Sequence, residues 1–276
     1  MANKPLSDAD IKAKLIAKAQ AEQPKESLFP TEIVPLPSKG LVYPKDHPLS
    51  SGHVEIKYMT AKEEDILTNS NLLRTGRAID ALYKSLIVGN GEGQMVKLDD
   101  MITGDKSALM LATRMLGYGP DYTVGLKDSE GETFEHTVDL SELKVKEVDY
   151  SLYKNSRELD FTLPVSNISV TFKLKTSKEE TALTRQLAQM QKTGKSAAVT
   201  TGLKHSIVAI DGDREQKSIN TFIDNHMVAR DSLQLRLFMV KVTPDYDLTI
   251  YVDRPDKGVE QEMLLPIDHT FFWPRS

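Results

Sequence analysis

Between Leu159 and Leu174 apolar and polar residues alternate strictly on both sides of a short break, Leu159-Asp-Phe-Thr-Leu163, then Pro164-Val-Ser-Asn167, then Ile168-Ser-Val-Thr-Phe-Lys-Leu174. A period of two puts Phe161, Leu163, Ile168, Val170, Phe172 and Leu174 on one face of a pleated ribbon, and no helix can gather that set on one side. The segment predicts an antiparallel hairpin. Two further hairpins are predicted. One is Tyr122–Leu126 with Thr133–Val138, around Lys127-Asp-Ser-Glu-Gly131. The other is Leu248–Val252 with Gln261–Leu265, around Asp253-Arg-Pro-Asp-Lys-Gly258. Val54–Tyr58 reads as a short alternating strand.

Helical signals frame the hairpins. Thr60-Ala-Lys-Glu63 and Ser177-Lys-Glu-Glu180 have the spacing of capping boxes, in which hydroxyl and carboxylate satisfy the free donors of a helix start. The second opens a helix with Leu183, Leu187 and Met190 on one face. Helical periodicity also covers about Gly76 to Ile87, Lys106 to Leu116, Gly202 to Ile210, the stretch after Asp213, and Met227 to Val240. Helices, sheet, helices, sheet in that order predict an α+β fold of helical segments plus antiparallel hairpins.

Six prolines between Pro24 and His53 forbid a helix there and favour extended backbone. Residues 1–53 are therefore predicted to be an extended N-terminal arm outside the core, a short helix carrying Ile11, Leu15 and Ala19 followed by the proline-rich segment. A helical subdomain, 54–120, and an α+β domain with three hairpins and a helical insertion, 121–276, are predicted to follow. The arm is too apolar at Ile33–Pro37 and Leu41–Tyr43 for a solvated linker, and the chain closes on Thr270-Phe-Phe-Trp-Pro274. Three adjacent aromatics cannot share one face of a strand. These features mark Leu36, Pro37, Ser38, Lys39, Gly40 and Tyr43, with Phe271, Phe272, Trp273 and Pro274, as partner-binding candidates, with a tail tucked over its own core as the alternative for the last four.

Forty acidic against 35 basic side chains leave a net charge of -5, which argues against nucleic acid or an anionic membrane as a partner. With no cysteine, disulfides, thiolate metal sites, iron–sulfur clusters and cysteine nucleophiles are excluded. The longest apolar run, Ala108 to Ala112, is far too short to span a bilayer, and Met1 to Gln23 lacks the apolar core of a secretory signal. Gly194-Lys195-Ser196 lacks the first glycine of a phosphate loop, Asp211-Gly-Asp213 lacks the glycine and glutamate of a calcium loop, and no two of the six histidines stand three or four apart. Asp213 is expected to cap a helix. No catalytic, cofactor or metal residue is assigned, and the chain is expected not to be an enzyme.

Leu36-Pro-Ser-Lys-Gly40 with Tyr43, Met59-Thr-Ala-Lys-Glu-Glu-Asp-Ile-Leu67, Asn71-Leu-Leu73, Gly104-Asp105 leading to Arg114 and Tyr118-Gly119, and the Phe271-Phe-Trp-Pro274 ending occur in an order that resembles the baseplate hub protein family of T-even-type contractile-tailed bacteriophages. The resemblance implies a non-enzymatic protein of the central hub of the tail baseplate, assembled in the host cytoplasm, with other hub subunits and the tape-measure protein as partners; self-association stays open. Members can carry CxxC pairs at two turns matching Lys127–Gly131 and Asp253–Gly258, a zinc-ribbon-like site whose ligands this chain lacks. The two hairpins are therefore expected to pack side by side through Val124, Phe134, Ile250 and Leu264 without metal. Two alternatives remain: an assembly chaperone for the hub or tape-measure protein that leaves the virion, and a small cytoplasmic hydrolase using Asp and His side chains.

Overall fold

The computed structural model describes residues 30–127, 131–194, 197–254, 259–267 and 269–272. The fold is α+β, with eight α-helices and four small antiparallel sheets among those residues. The expected short helix at Ile11–Ala19 lies outside them, as do most of the two turns compared with zinc-binding positions.

Strands β1 (Thr31–Pro35) and β2 (His53–Lys57) pair antiparallel. Helices α1 (Ala61–Thr68), α2 (Ser70–Arg74) and α3 (Ala78–Leu86) follow, and β3 (Ile87–Gly89) returns to β2. The long helix α4 (Thr103–Tyr118) then leads into the hairpin of β4 (Asp121–Lys127) and β5 (Thr133–Asp139).

The chain then repeats this plan. Strands β6 (Glu158–Thr162) and β7 (Ser169–Lys173) pair, α5 (Ser177–Lys192) and α6 (Ala198–Ser206) follow, and β8 (Ile207–Ile210) returns to β7. After α7 (Gln216–Asn225), the last long helix α8 (Ala229–Val242) leads into the hairpin of β9 (Thr249–Arg254) and β10 (Val259–Leu264). Even the irregularities match: the ladder between β2 and β3 slips between Glu55 and Ile56, and that between β7 and β8 slips between Thr171 and Phe172. Ile56 faces Ile87 in one and Phe172 faces Ile207 in the other.

Sequence carries the repeat too. Lys57, Thr60, Lys62, Glu63 and Glu64 recur at constant spacing as Lys173, Thr176, Lys178, Glu179 and Glu180, and Pro120-Asp-Tyr122 recurs as Pro244-Asp-Tyr246. In each copy the glutamate completes the capping box and also holds the strand's lysine, Lys57 Nζ lying 2.8 Å from Glu63 and Lys173 Nζ 2.7 Å from Glu179. One contact thus ties a strand end to the start of the next helix.

Four expectations change. Residues 30–53 are not an arm outside the core: β1 is an edge strand, and Val34, Leu36, Val42, Tyr43 and Leu49 are buried in a hydrophobic cluster continuous across both repeats. The boundaries at 53/54 and 120/121 cut through that cluster. Prolines fit because Pro35 ends an edge strand and Pro48 opens a 3-10 turn, positions that need no backbone donor. The helix expected across Gly202 to Ile210 stops at Ser206, where the β-branched Ile207 and Val208 begin β8. Cap assignments also move: Thr176 caps α5 in place of Ser177, and the helix after Asp213 starts at Gln216, while Asp213 accepts from Glu215 N at 2.8 Å. Of the four contacts expected between the outer hairpins, Val124 and Ile250 are buried and Phe134 half-buried, but Leu264 is 72 % exposed and joins no core.

Candidate functional site

The quoted motifs converge on one buried network. Asp105 stands on the first turn of α4 and is wholly buried, as is Ser38. Its carboxylate accepts from Ser38 N at 2.9 Å, from Ser38 Oγ at 2.7 Å and from Tyr43 Oη at 2.7 Å. Tyr43 Oη in turn accepts from Ile102 N at 2.9 Å, and Ser38 Oγ accepts from Gly40 N at 3.1 Å. Every donor of the Leu36–Gly40 turn that faces inward is therefore used. Burial raises the Asp105 carboxyl to about 6, with Asp245 adding to the rise and the hydrogen bonds from Ser38 and Tyr43 opposing it.

The turn can be this tight because of two glycines. A side chain at Gly40, whose φ is +76°, would place its Cβ 2.4 Å from the Ser50 carbonyl oxygen. At Gly104 a Cβ would fall 1.7 Å from the Pro244 oxygen, so the second repeat's Pro-Asp-Tyr segment rests directly on the start of α4. Arg114, at the other end of α4, is buried and donates to Gly119 O at 3.0 Å and Asp121 O at 2.9 Å, fixing the entry to β4.

The second repeat has a reduced version. Asp231, again on the first turn of its helix, accepts from Val165 N at 2.8 Å and Ser166 N at 3.1 Å in the turn after β6. A buried carboxylate at the start of the last long helix clamps the hairpin turn in both copies.

Reaction chemistry does not follow. In the first repeat both hydroxyls donate to the carboxylate, His47 stacks on the Tyr43 ring at 5.2 Å and accepts its hydrogen bond from Leu49 N, and Ser38, Tyr43 and Asp105 are at most 2 % exposed, so no substrate atom reaches the group. Among the described residues no cluster of His, Asp and Glu could hold a metal ion, and no helix is long and apolar enough to cross a membrane. Asp211, read with Asp213 against a calcium loop, accepts from Ser169 N at 2.8 Å. Lys195 and Ser196 lie outside the described residues.

Of the ten partner-binding candidates, Leu36, Pro37, Ser38, Gly40 and Tyr43 face inward, leaving Lys39 as the exposed member of its turn. Lys39 adopts φ +52° and holds its Nζ 3.9 Å above the Tyr150 ring, whose hydroxyl donates to Pro37 O at 3.0 Å. Beside it opens a groove of about 530 Å³ between Pro35–Lys39, Val145–Val148, Tyr150 and Tyr246. Phe271 and Phe272 are likewise buried by the chain itself, edge-on to Tyr122 at 5.0 Å and to Tyr83 at 6.4 Å. The expectation that these two aromatics face a partner gives way to the tucked tail, because Tyr122 and Tyr83 already cover their rings. Trp273 and Pro274 lie outside the described residues. Sequence reasoning missed Asp105 as the centre of the network, since its partners Ser38 and Tyr43 lie far away in the chain; the Gly104-Asp105 pair was the one local sign.

The doubled α+β scaffold thus seals its most elaborate polar site in the core and leaves the Lys39 groove on the outside. The chain belongs to the T4 bacteriophage base plate protein family, whose model matches residues 42–273. It is thus a structural component of a phage tail baseplate. Neither a curated protein nor a solved structure matches the chain.

Proposed function

We propose that this protein is a non-enzymatic component of the central baseplate hub, assembled in the host cytoplasm and retained in the virion, where it contacts other hub subunits and the tape-measure protein. The observation that carries the reading is the family match over residues 42–273, joined to motifs whose order resembles the hub proteins. The Lys39 side of the molecule supplies a contact surface that suits it. Lys39, Pro35, Val148, Tyr150 and Tyr246 line a groove of largely apolar walls that also carry Lys146 and Glu147, anchored beneath by the Asp105 network. A rigid floor of that kind lowers the entropy lost when a partner docks.

Quantitative mass spectrometry of purified particles tests the proposal. Stoichiometric presence in tails, together with tail loss when the gene is silenced, supports it. Absence from particles with the same loss of tails points instead to a chaperone that departs after assembly.

A further inference from the structure

Comparison of the two repeats exposes two faces that the first repeat covers or keeps polar. On α4, Leu111 and Arg114 are buried. Counted from the clamping aspartates Asp105 and Asp231, the matching positions of α8 are Leu237, 54 % exposed, and Val240, 65 % exposed, and Leu233 one turn earlier is 44 % exposed. Spacing of four and three residues puts Leu233, Leu237 and Val240 on one stripe. The charged side chains outside it are all basic: Arg230, Arg236 and Lys241 are exposed, whereas the helix's one acid, Asp231, is buried in the Val165–Ser166 clamp. Lys146, which donates to the Val240 carbonyl, adds a cation at the C-terminal end.

The two outer hairpins differ in the same way. In β4–β5 the outward side is polar, with Thr123 and Thr137 hydrogen-bonded across the strands at 2.8 Å and Gly125 paired with Glu135. In β9–β10 the corresponding side carries Tyr251, 66 % exposed, opposite Glu262, and Leu264, 72 % exposed, opposite Thr249. One face is apolar and basic, the other is apolar and carries the exposed carboxylate of Glu262, and both belong to the same chain.

We propose that a second copy of this chain covers α8: the Leu233–Leu237–Val240 stripe of one molecule docks on the outward face of β9–β10 of the next, with Arg230, Arg236 and Lys241 placed around Glu262 of that face. Contact between two different patches is head-to-tail, so it propagates into a ring or a short chain of copies. This inference stands on the repeat comparison and does not depend on the hub assignment.

Sedimentation of the full chain over a range of concentrations provides the test, using the exposed substitutions Leu237→Asp and Tyr251→Asp, with circular dichroism to check folding. Wild type associates, and less strongly at high salt. Each variant alone weakens association by about tenfold or more, since each lacks one of the two patches. Mixed together, the variants form a one-to-one dimer through the remaining intact pair of patches and grow no further. A monomeric wild type at all concentrations overturns the proposal, as does association unchanged by either substitution, or a mixture that stays monomeric.

Discussion

Replacing Tyr43 by Phe removes a single oxygen from the centre of the buried network. That oxygen makes two contacts, donating to Asp105 at 2.7 Å and accepting from Ile102 N at 2.9 Å. Losing a hydrogen bond to a charged acceptor costs roughly 1.5–3 kcal/mol, and leaving the Ile102 N–H buried without a partner costs roughly 1–3 kcal/mol. The ring itself stays, so no cavity forms and the sum is about 3–5 kcal/mol. At roughly 2–4 °C per kcal/mol for a chain of this size, the melting temperature falls by at least about 6 °C. Urea denaturation of the full chain followed by fluorescence and circular dichroism gives the difference directly. Because Tyr43 also helps hold the Asp105 charge, the variant's stability is more sensitive to pH near 6 than the wild type's. A Phe variant within about 0.5 kcal/mol of wild type would show that the network merely fills space, and that another contact fixes the Leu36–Gly40 turn.

Further outcomes follow from the same contacts. Asp105 has its folded-state carboxyl raised from 3.8 to about 6, so the folded form holds the proton more tightly; stability is fully present below about pH 4 and falls by roughly 3 kcal/mol as pH rises through 6, a slope that Asp105→Asn abolishes in pH-dependent denaturation. Glu63 behaves oppositely: burial pushes its carboxyl up, but hydrogen bonds from Lys57, Thr60 and Ser85 outweigh that and hold it at about 2. Its contribution, about 3 kcal/mol, is present above pH 4.5 and is lost as pH falls toward 2, so acid titration of Glu63→Gln shows a flatter profile than wild type. The matching Glu179→Gln costs less, because that side chain remains 24 % exposed where Glu63 is fully enclosed, and thermal melts of the two variants rank them. Gly104→Ala places a methyl 1.7 Å from the Pro244 oxygen and prevents the repeats from seating, which limited proteolysis detects as cleavage of intact chain under native conditions.

What could be read from residues alone was whatever is local. Strict alternation from Leu159 to Leu174 fixed a hairpin with Leu163, Val170 and Phe172 fully buried, and the Thr60–Glu63 spacing marked a helix start where Thr60 N and Oγ1 both donate to Glu63, at 3.1 and 2.6 Å. Proline density misled at residues 30–53 because it reports backbone shape, not burial; Pro35 and Pro48 sit where no donor is missed, while Leu36 and Tyr43 beside them go into the core. Leu203, Ile207 and Ile210 fit a helical stripe as well as they fit a helix end followed by a strand, so periodicity could not place that junction. The Asp105 and Asp231 clamps join residues more than sixty positions apart, beyond any local rule. The repeat was nonetheless written in the chain, in the paired Lys-x-x-Thr-x-Lys-Glu-Glu and Pro-Asp-Tyr segments, and a self-comparison exposes it.

A density map of the baseplate in intact tails bears most directly on the hub proposal. The account predicts this doubled α+β fold, with its Lys39 groove against a neighbouring subunit, in density around the tail axis. Density for the fold at the baseplate periphery, or a complete axial hub built without it, would contradict the account.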